Sequence, residues 1–287
     1  MQQLLGTQLA QSYMSSYQQR ALALKAKGIQ PSLDVICVGN DPASLTYIAA
    51  KERACHTAHI CSIVHRLSHE ITEQDLLDYI IQLNHNASVQ AILCQLPLPK
   101  HINPDIIIQT ITPQKDVDGF HPINLGRLAL GDTQGFIPCT PKGIIALLEH
   151  YHIDTRGKHI VVLGRSRIVG LPIAMLLAQK GRDATVTMCH SHTTHLVQHC
   201  QSADIVITAI GQPHFVQAHW LSPHATVIDV GINRIPDSHT TRGYRIVGDC
   251  HPDVAQQVQA MTPVPGGVGP LTVAMLLDNC LQAWENL

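Results

Sequence analysis

Apolar positions along this chain alternate between short continuous runs and wider helical spacings. Leu33-Asp34-Val35-Ile36-Cys37-Val38 is a nearly unbroken apolar run ended by Gly39-Asn40-Asp41-Pro42. That is the pattern of a strand covered on both faces. Asp41 suits an N-cap and Pro42 a first helical position, so a helix is predicted from about 42 to 57. Thr72 to Asn86 reads as a second helix, with Leu76, Leu77, Ile80, Ile81 and Leu83 on its apolar side. A second strand is predicted over 89–95, cut by Pro97 and Pro99. This strand–helix–helix–strand order describes an α/β domain over about residues 1–120.

The rhythm then becomes regular. Pro138 to Tyr151 reads as a linking helix. Strand 159–163, helix 170–180, strand 184–188, helix 192–200 and strands 204–209 and 226–230 follow. Such a βαβ succession predicts a parallel, doubly wound sheet of Rossmann type over residues 139–265. Residues 272–287 read as one more amphipathic helix. No internal repeat or low-complexity segment interrupts the pattern.

Composition narrows the class. At 287 residues there is room for two domains, each with its own core. Only 14% of residues are charged and the net charge is −2, which gives no electrostatic case for nucleic acid or an anionic membrane. The nine cysteines are odd in number and form no Cys-x-x-Cys, so reduced, mostly buried thiols are expected. The start Met1-Gln2-Gln3-Leu4-Leu5 lacks the basic residues of a secretory signal, and no apolar stretch is long enough to span a bilayer. A soluble, cytoplasmic protein is expected.

The most informative junction is where His159-Ile160-Val161-Val162-Leu163 runs into Gly164-Arg165-Ser166-Arg167-Ile168-Val169-Gly170. A buried strand that breaks into a glycine turn before a helix is where a Rossmann domain holds a dinucleotide pyrophosphate. Ser166 stands where the second glycine of Gly-x-Gly-x-x-Gly would be, and Arg165 places a fixed positive charge beside the phosphates. The next predicted strand ends in Cys189-His190-Ser191, with no Asp or Glu to hold free ribose hydroxyls. An Arg and a Ser without a repelling acid suit the 2′-phosphate of NADP.

Other groupings are weaker alone. His192, His195 and His199 share one face of the predicted helix, but they make no closed ligand set, so no metal site is assigned. Tyr47 and Lys51 are one helical turn apart. Gln95-Leu96-Pro97-Leu98-Pro99 carries an amide into a proline-stiffened loop. Lys115-Asp116-Val117-Asp118-Gly119 pairs two acids before a glycine, as many plain turns do. Pro263-Val264-Pro265-Gly266-Gly267-Val268-Gly269-Pro270 suits close approach of backbone to a ligand.

Taken in order, these segments, together with Val227-Ile228-Asp229-Val230-Gly231-Ile232-Asn233, resemble the bifunctional methylenetetrahydrofolate dehydrogenase/methenyltetrahydrofolate cyclohydrolase family over nearly the whole chain. The resemblance implies oxidation of 5,10-methylenetetrahydrofolate with NADP and hydrolysis of the methenyl product to 10-formyltetrahydrofolate. This is one-carbon chemistry that feeds purine biosynthesis. It implies Lys51 as catalytic lysine with Gln95 as its partner, and Asp118 as the carboxylate that binds the pterin. Tyr47, Leu96, Pro265 and Gly269 would line the folate site, and Gly164, Arg165, Ser166, Ser191, Gly211 and Ile232 would bind NADP.

It further implies an N-terminal folate domain completed by a returning C-terminal helix, an active site in the cleft between the domains, and a homodimer. Hydride transfer needs positioning above all, whereas hydrolysis needs a proton carrier, which a lysine can be where burial lowers its pKa. Leu5-Gly6, His59 and Leu271 depart from the family pattern, the last being a volume-conserving change. Two rivals remain at this stage. One is a shikimate-dehydrogenase-like NADP oxidoreductase, which leaves the Pro-Gly-Gly-Val-Gly-Pro loop unexplained. The other is an NADP-sensing binding protein without catalysis.

Overall fold

A computed structural model describes residues 1–240 and 243–287. In chain order the elements are β1 (Gln2–Gln3), α1 (Gly6–Ala26), β2 (Ser32–Val38), α2 (Pro42–Thr57), β3 (Cys61–Leu67), α3 (Glu73–His85), β4 (Ile92–Cys94), α4 (Pro104–Thr110), α5 (Pro122–Leu130) and α6 (Cys139–His150). They continue with β5 (His159–Leu163), α7 (Gly170–Ala178), β6 (Thr185–Cys189), α8 (Leu196–Gln201), β7 (Ile205–Thr208), β8 (Thr226–Asp229), β9 (Asn233–Pro236), β10 (Tyr244–Val247), α9 (Val254–Gln257), β11 (Ala260–Met261) and α10 (Val268–Glu285). Two compact units divide the chain: residues 11–139 with 273–287, and residues 1–10 with 140–272.

The unit of residues 11–139 and 273–287 is built on a three-stranded parallel sheet in the order β3-β2-β4. β2 is buried at every position because it is central. Ile36 and Val38 pack with Leu76, Ile80 and Leu83 of α3, with Ile92 and Cys94 of β4, and with Ile107 of α4. Both predicted helices form. Asp41 caps α2, its carboxylate accepting from the Ser44 amide at 2.7 Å, and Thr72 caps α3 by accepting from the Asp75 amide at 3.1 Å. Within α10, Asn279 donates to the Val117 and Ile137 carbonyls and Trp284 to the Ser32 carbonyl, all at 2.8–3.0 Å.

Four elements go beyond the predicted pattern here: α1, β3, α4 and α5. β3 is an edge strand whose exposed and half-buried residues alternate, so Cys-Ser-Ile-Val-His-Arg-Leu carries no apolar run. It is fastened by His65, whose Nε2 lies 2.8 Å from the buried Asp34 carboxylate and whose Nδ1 lies 2.7 Å from the Tyr79 hydroxyl. α1 is long, but its buried residues Leu9, Tyr17, Ala21 and Leu24 are scattered among Gln and Ser, leaving only a thin apolar stripe.

The second unit holds a six-stranded parallel sheet in the order β1-β11-β8-β7-β5-β6, as the doubly wound reading requires. The order reverses between β5 and β7, the topological switch point where α/β sheets open a crevice at their carboxyl ends. On one face Val161, Leu163, Val206 and Val227 form a core with Cys189, Cys200, Val254 and Val258. The first residues, assigned above to the folate domain, join this sheet instead, because β1 pairs with β11 through Gln2 and Gln3. β9 and β10 form a separate antiparallel pair.

α8 is shorter than predicted. It begins at Leu196, after His195 adopts a left-handed conformation (φ 54°). His192 therefore lies outside the helix, and the shared histidine face does not form. All nine cysteines are free thiols, and every one except Cys61 is buried. Among the described residues no helix is long and apolar enough to cross a membrane.

Candidate active site

Three elements of the unit of residues 11–139 and 273–287 converge on one group of side chains. α2 carries Tyr47 and, one turn later, Lys51. The Gln95 amide extends the ladder past β4 by donating to the Ile36 carbonyl at 2.9 Å, which fixes where its side chain leaves the sheet. Lys51 Nζ donates to Gln95 Oε1 at 2.9 Å, and Gln95 Nε2 donates to the Leu96 carbonyl at 2.7 Å. The second bond holds the amide with its oxygen toward the lysine. Lys51, Gln95 and Leu96 are half-buried, and Tyr47 presents its ring with 40% exposure.

The segment 115–119 separates its two acids into different roles. Lys115 Nζ caps the C-terminal end of α3, donating to the Leu83, Asn84 and Asn86 carbonyls at 2.7–3.3 Å. Asp116 points inward and accepts from the His121 amide at 2.8 Å and from Asn124 Nδ2 at 3.0 Å. Asp118 keeps some exposure and no hydrogen bond from the described residues reaches its carboxyl. Desolvation by the surrounding protein pushes its pKa up to about 6, against the opposing pull of the Lys51 ammonium and with a smaller push from Asp116. A desolvated carboxyl without donors is an open acceptor for a ligand that brings its own N–H groups. Cys94 lies beside Lys51 and Asp118, but burial pushes its thiol up to about 12, so it is no competing nucleophile.

In the other unit, a cavity of about 480 Å³ opens at the carboxyl ends of β5, β6 and β7. Gly164, Arg165, Ser166, His190, Ser191 and Gln212 are among its lining residues. The Gly164 backbone sits at φ 112°, and a Cβ there would overlap the Ala209 carbonyl oxygen. A Cβ on Gly170 would in turn overlap the Gly164 carbonyl oxygen. Both glycines are thus set by close approach of strand, turn and helix. Ser166 does more than replace a glycine: its Oγ accepts from the Val169 amide at 3.1 Å and the Gly170 amide at 3.4 Å, capping the start of α7. Arg165 and Ser191 face the same space with no carboxylate among the residues that line it. The site's size, its helix N-terminus and its single fixed cation fit a phosphorylated dinucleotide.

The remaining predicted residues distribute as follows. Gly211 lies between the lining residues Ile210 and Gln212, at φ 75°. Ile232 is outside the cavity lining, 45% exposed, and its Cδ1 lies 3.6 Å from where a Gly269 Cβ would be. Pro265 is exposed and Gly269 half-buried. Both belong to the unit of residues 1–10 and 140–272, whereas Tyr47, Lys51, Gln95, Leu96 and Asp118 belong to the other. Two residues escaped the sequence reading. Asp229 and Asp249 are buried carboxylates that accept main-chain amides around the ends of β7 and β8. Asp249 has no local signal, since the amides it accepts lie 37 to 39 positions away.

A parallel sheet with its switch-point cavity, a glycine turn and a basic, acid-free ribose end define a Rossmann-type nucleotide-binding enzyme, joined to a second α/β unit that carries a lysine–glutamine pair. Residues 138–287 match the family model of the tetrahydrofolate dehydrogenase/cyclohydrolase NAD(P)-binding domain, and residues 4–118 match that of the catalytic domain. The bifunctional protein FolD of Treponema pallidum is 48% identical over 282 residues, 98% of this chain and 89% of the relative. The crystal structure of the FolD dehydrogenase/cyclohydrolase of Campylobacter jejuni superposes with a TM-score of 0.94 at 44% identity, covering 100% of this chain and 99% of that one. The Trypanosoma brucei FolD structure, complexed with NADP cofactor and inhibitor, gives 0.93 at 37% identity, covering 98% and 96%.

The chain belongs to the tetrahydrofolate dehydrogenase/cyclohydrolase family. It is an NADP-dependent bifunctional enzyme of tetrahydrofolate one-carbon metabolism. The shikimate dehydrogenase rival is reduced to a shared fold: the Listeria monocytogenes enzyme matches at 11% identity and a TM-score of 0.50, over 90% of this chain and 92% of that one.

Proposed function

We propose that Lys51, Gln95 and Asp118 carry the folate chemistry of this enzyme, and that the cavity at the ends of β5 to β7 holds NADP. The observation that carries the reading is the Lys51–Gln95 hydrogen bond, 2.9 Å long, formed beside the desolvated Asp118 carboxyl. A pterin presents adjacent N–H donors on its amino-pyrimidinone edge, and an ionised Asp118 accepts two of them at once. Tyr47 supplies a flat ring against the pterin, and Leu96 lies beside Gln95 on the same side of the folate site. The residues lining the cavity would hold NADP⁺, which would supply the hydride acceptor for oxidation of the methylene bridge.

Hydrolysis falls to this chain's own residues. Water adds to the methenyl carbon and gives up a proton as the new C–O bond forms. The C–N5 bond then breaks, N5 gains a proton and the second proton of the water is released to solvent, leaving a formyl group on N10. In this reading Lys51 Nζ moves the proton, and its hydrogen bond to Gln95 supports that role by fixing its position. Gly164 and Ser166 shape the pyrophosphate turn, Arg165 and Ser191 hold the 2′-phosphate, and Gly211 and Ile232 contact the cofactor farther along. The units take the roles of folate domain (11–139 with 273–287) and NADP domain (140–272 with 1–10).

A cytoplasmic homodimer completes the proposal. Supporting it, β3 is an edge strand that exposes Ile63 at 41%, and sedimentation equilibrium of the full chain tests it, a monomer removing that part.

One spectrophotometric assay tests the main reading. 5,10-Methylenetetrahydrofolate is supplied with NADP⁺ or NAD⁺, to the native enzyme and to Arg165→Gln. The native enzyme is expected to prefer NADP⁺. The variant is expected to lose about tenfold to a hundredfold in kcat/KM for NADP⁺ and little for NAD⁺, the scale of a charge-assisted hydrogen bond. Equal rates with both cofactors in the native enzyme would remove the assignment of Arg165 and Ser191 to a 2′-phosphate.

A further inference from the structure

The turn that follows β7 is held by an anion that the chain itself provides. Asp249 lies two residues past β10 and is completely buried. Its Oδ2 accepts from the Ile210 amide at 2.7 Å and the Gly211 amide at 3.1 Å, and its Oδ1 from the Gln212 amide at 3.0 Å. Asn233 Nδ2 donates to the same Oδ1 at 2.9 Å. Successive main-chain N–H groups aimed at one point form a nest, the geometry with which many proteins bind phosphate. Here the nest is already filled.

The surrounding backbone is shaped to this carboxylate. A Cβ on Gly231 would overlap Asp249 Oδ1. Asp229 forms the second half of the lock, accepting from the Gly231 amide at 3.0 Å, the Asp249 amide at 2.9 Å and the Cys250 amide at 2.9 Å. The two acids join the end of β7 to the end of β8. Ile210 and Gln212 line the NADP cavity, and Asn233 directly follows Ile232. Every segment that Asp249 grips therefore borders a residue of the cofactor side.

We propose that Asp249 is a positioning residue for NADP: as an internal anion it fixes the 210–212 turn, and through that turn the cavity wall that the dinucleotide meets. The inference rests on the assignment of that cavity to NADP. Asp249 touches neither the cofactor nor the reacting atoms in this role, so its removal changes affinity before it changes chemistry.

Two variants of the full-length enzyme test it, Asp249→Ala and the isosteric Asp249→Asn, with Asp249→Ala also assayed in excess formate. NADP⁺ is titrated calorimetrically, KM and kcat of the dehydrogenase are measured, methenyl hydrolysis is followed without cofactor, and thermal unfolding is recorded. Asp249→Ala is expected to raise the NADP⁺ Kd and KM by about tenfold or more, with kcat and methenyl hydrolysis changed far less. Formate should recover much of the affinity by refilling the nest, and Asp249→Asn should fall between. Should Asp249→Ala fail to fold, Asp249→Asn decides: native NADP⁺ affinity in that variant overturns the proposal. So does an equal loss of both activities without rescue by formate, which marks a purely structural residue. If the native enzyme binds no NADP⁺, the cavity assignment itself fails and the proposal falls with it.

Discussion

The folate side and the cofactor side of this enzyme are made from different materials. Around Lys51, the site consists of side chains sent from a helix, a strand end and a loop, and its properties are those of a lysine bonded to an amide within the field of a desolvated carboxyl. Around Gly164, the site consists chiefly of backbone, brought so close that a single Cβ would collide with a carbonyl. The first is tuned by what its groups are, the second by what is missing from it. One side should therefore fail chemically and the other geometrically.

Lys51→Met is the sharpest way to break the comparison. Removing a positioned proton carrier should cost methenyl hydrolysis about a hundredfold to ten-thousandfold, with NADP⁺ affinity unchanged. Retained hydrolysis in a stopped absorbance assay would remove Lys51 from its role. Gly164→Ala should do the reverse. The φ of 112° and the Ala209 carbonyl leave no room for a methyl group, so NADP⁺ affinity should fall about tenfold or more and the unfolding midpoint should drop. Methenyl hydrolysis should persist; if it disappears equally, the two sides are not separable as described.

The pH dependence of Asp118 is the smallest of these effects near neutrality. Its folded-state pKa of about 6 lies above that of an unfolded aspartate. Protonation therefore favours the fold: the stabilising contribution is full below about pH 4 and is lost as pH rises through about 6. Pterin binding runs the opposite way, because its N–H donors need the ionised carboxylate. Folate KM should be flat above pH 7 and rise about tenfold per unit below pH 6. Asp118→Asn should bind poorly at every pH and abolish that slope. An unchanged slope in the variant would assign the titration to another group.

Much of the fold was legible because its central strands are buried on both faces. β2, β5, β7 and β8 show unbroken or nearly unbroken apolar runs, and each is found within a residue or two of its predicted place. The edge strands β4 and β6 were also legible, but the edge strands β3 and β1 did not announce themselves. β3 alternates weakly and depends on the His65–Asp34 contact, and the two-residue β1 is a strand only because β11 lies beside it. The end of α8 nearest the histidines was misplaced, since residue spacing cannot foresee a left-handed turn at His195. Segment 115–119 was legible as a unit but not in its parts, where Lys115 caps a helix, Asp116 braces a loop and Asp118 stays open.

By itself, the sequence determined the element types, the parallel winding of the nucleotide-binding sheet and the residue kinds at the site. Those follow from local periodicity, from the need to bury apolar runs, and from the few side chains that can move protons or hold phosphates. Tertiary structure alone showed that Asp116 is spent internally while the Asp118 carboxyl stays open, and it alone revealed Asp249 beneath the 210–212 turn. A carboxylate's role depends on desolvation and on which amides surround it. Those amides come from positions far away in the chain, and only folding brings them to the acid.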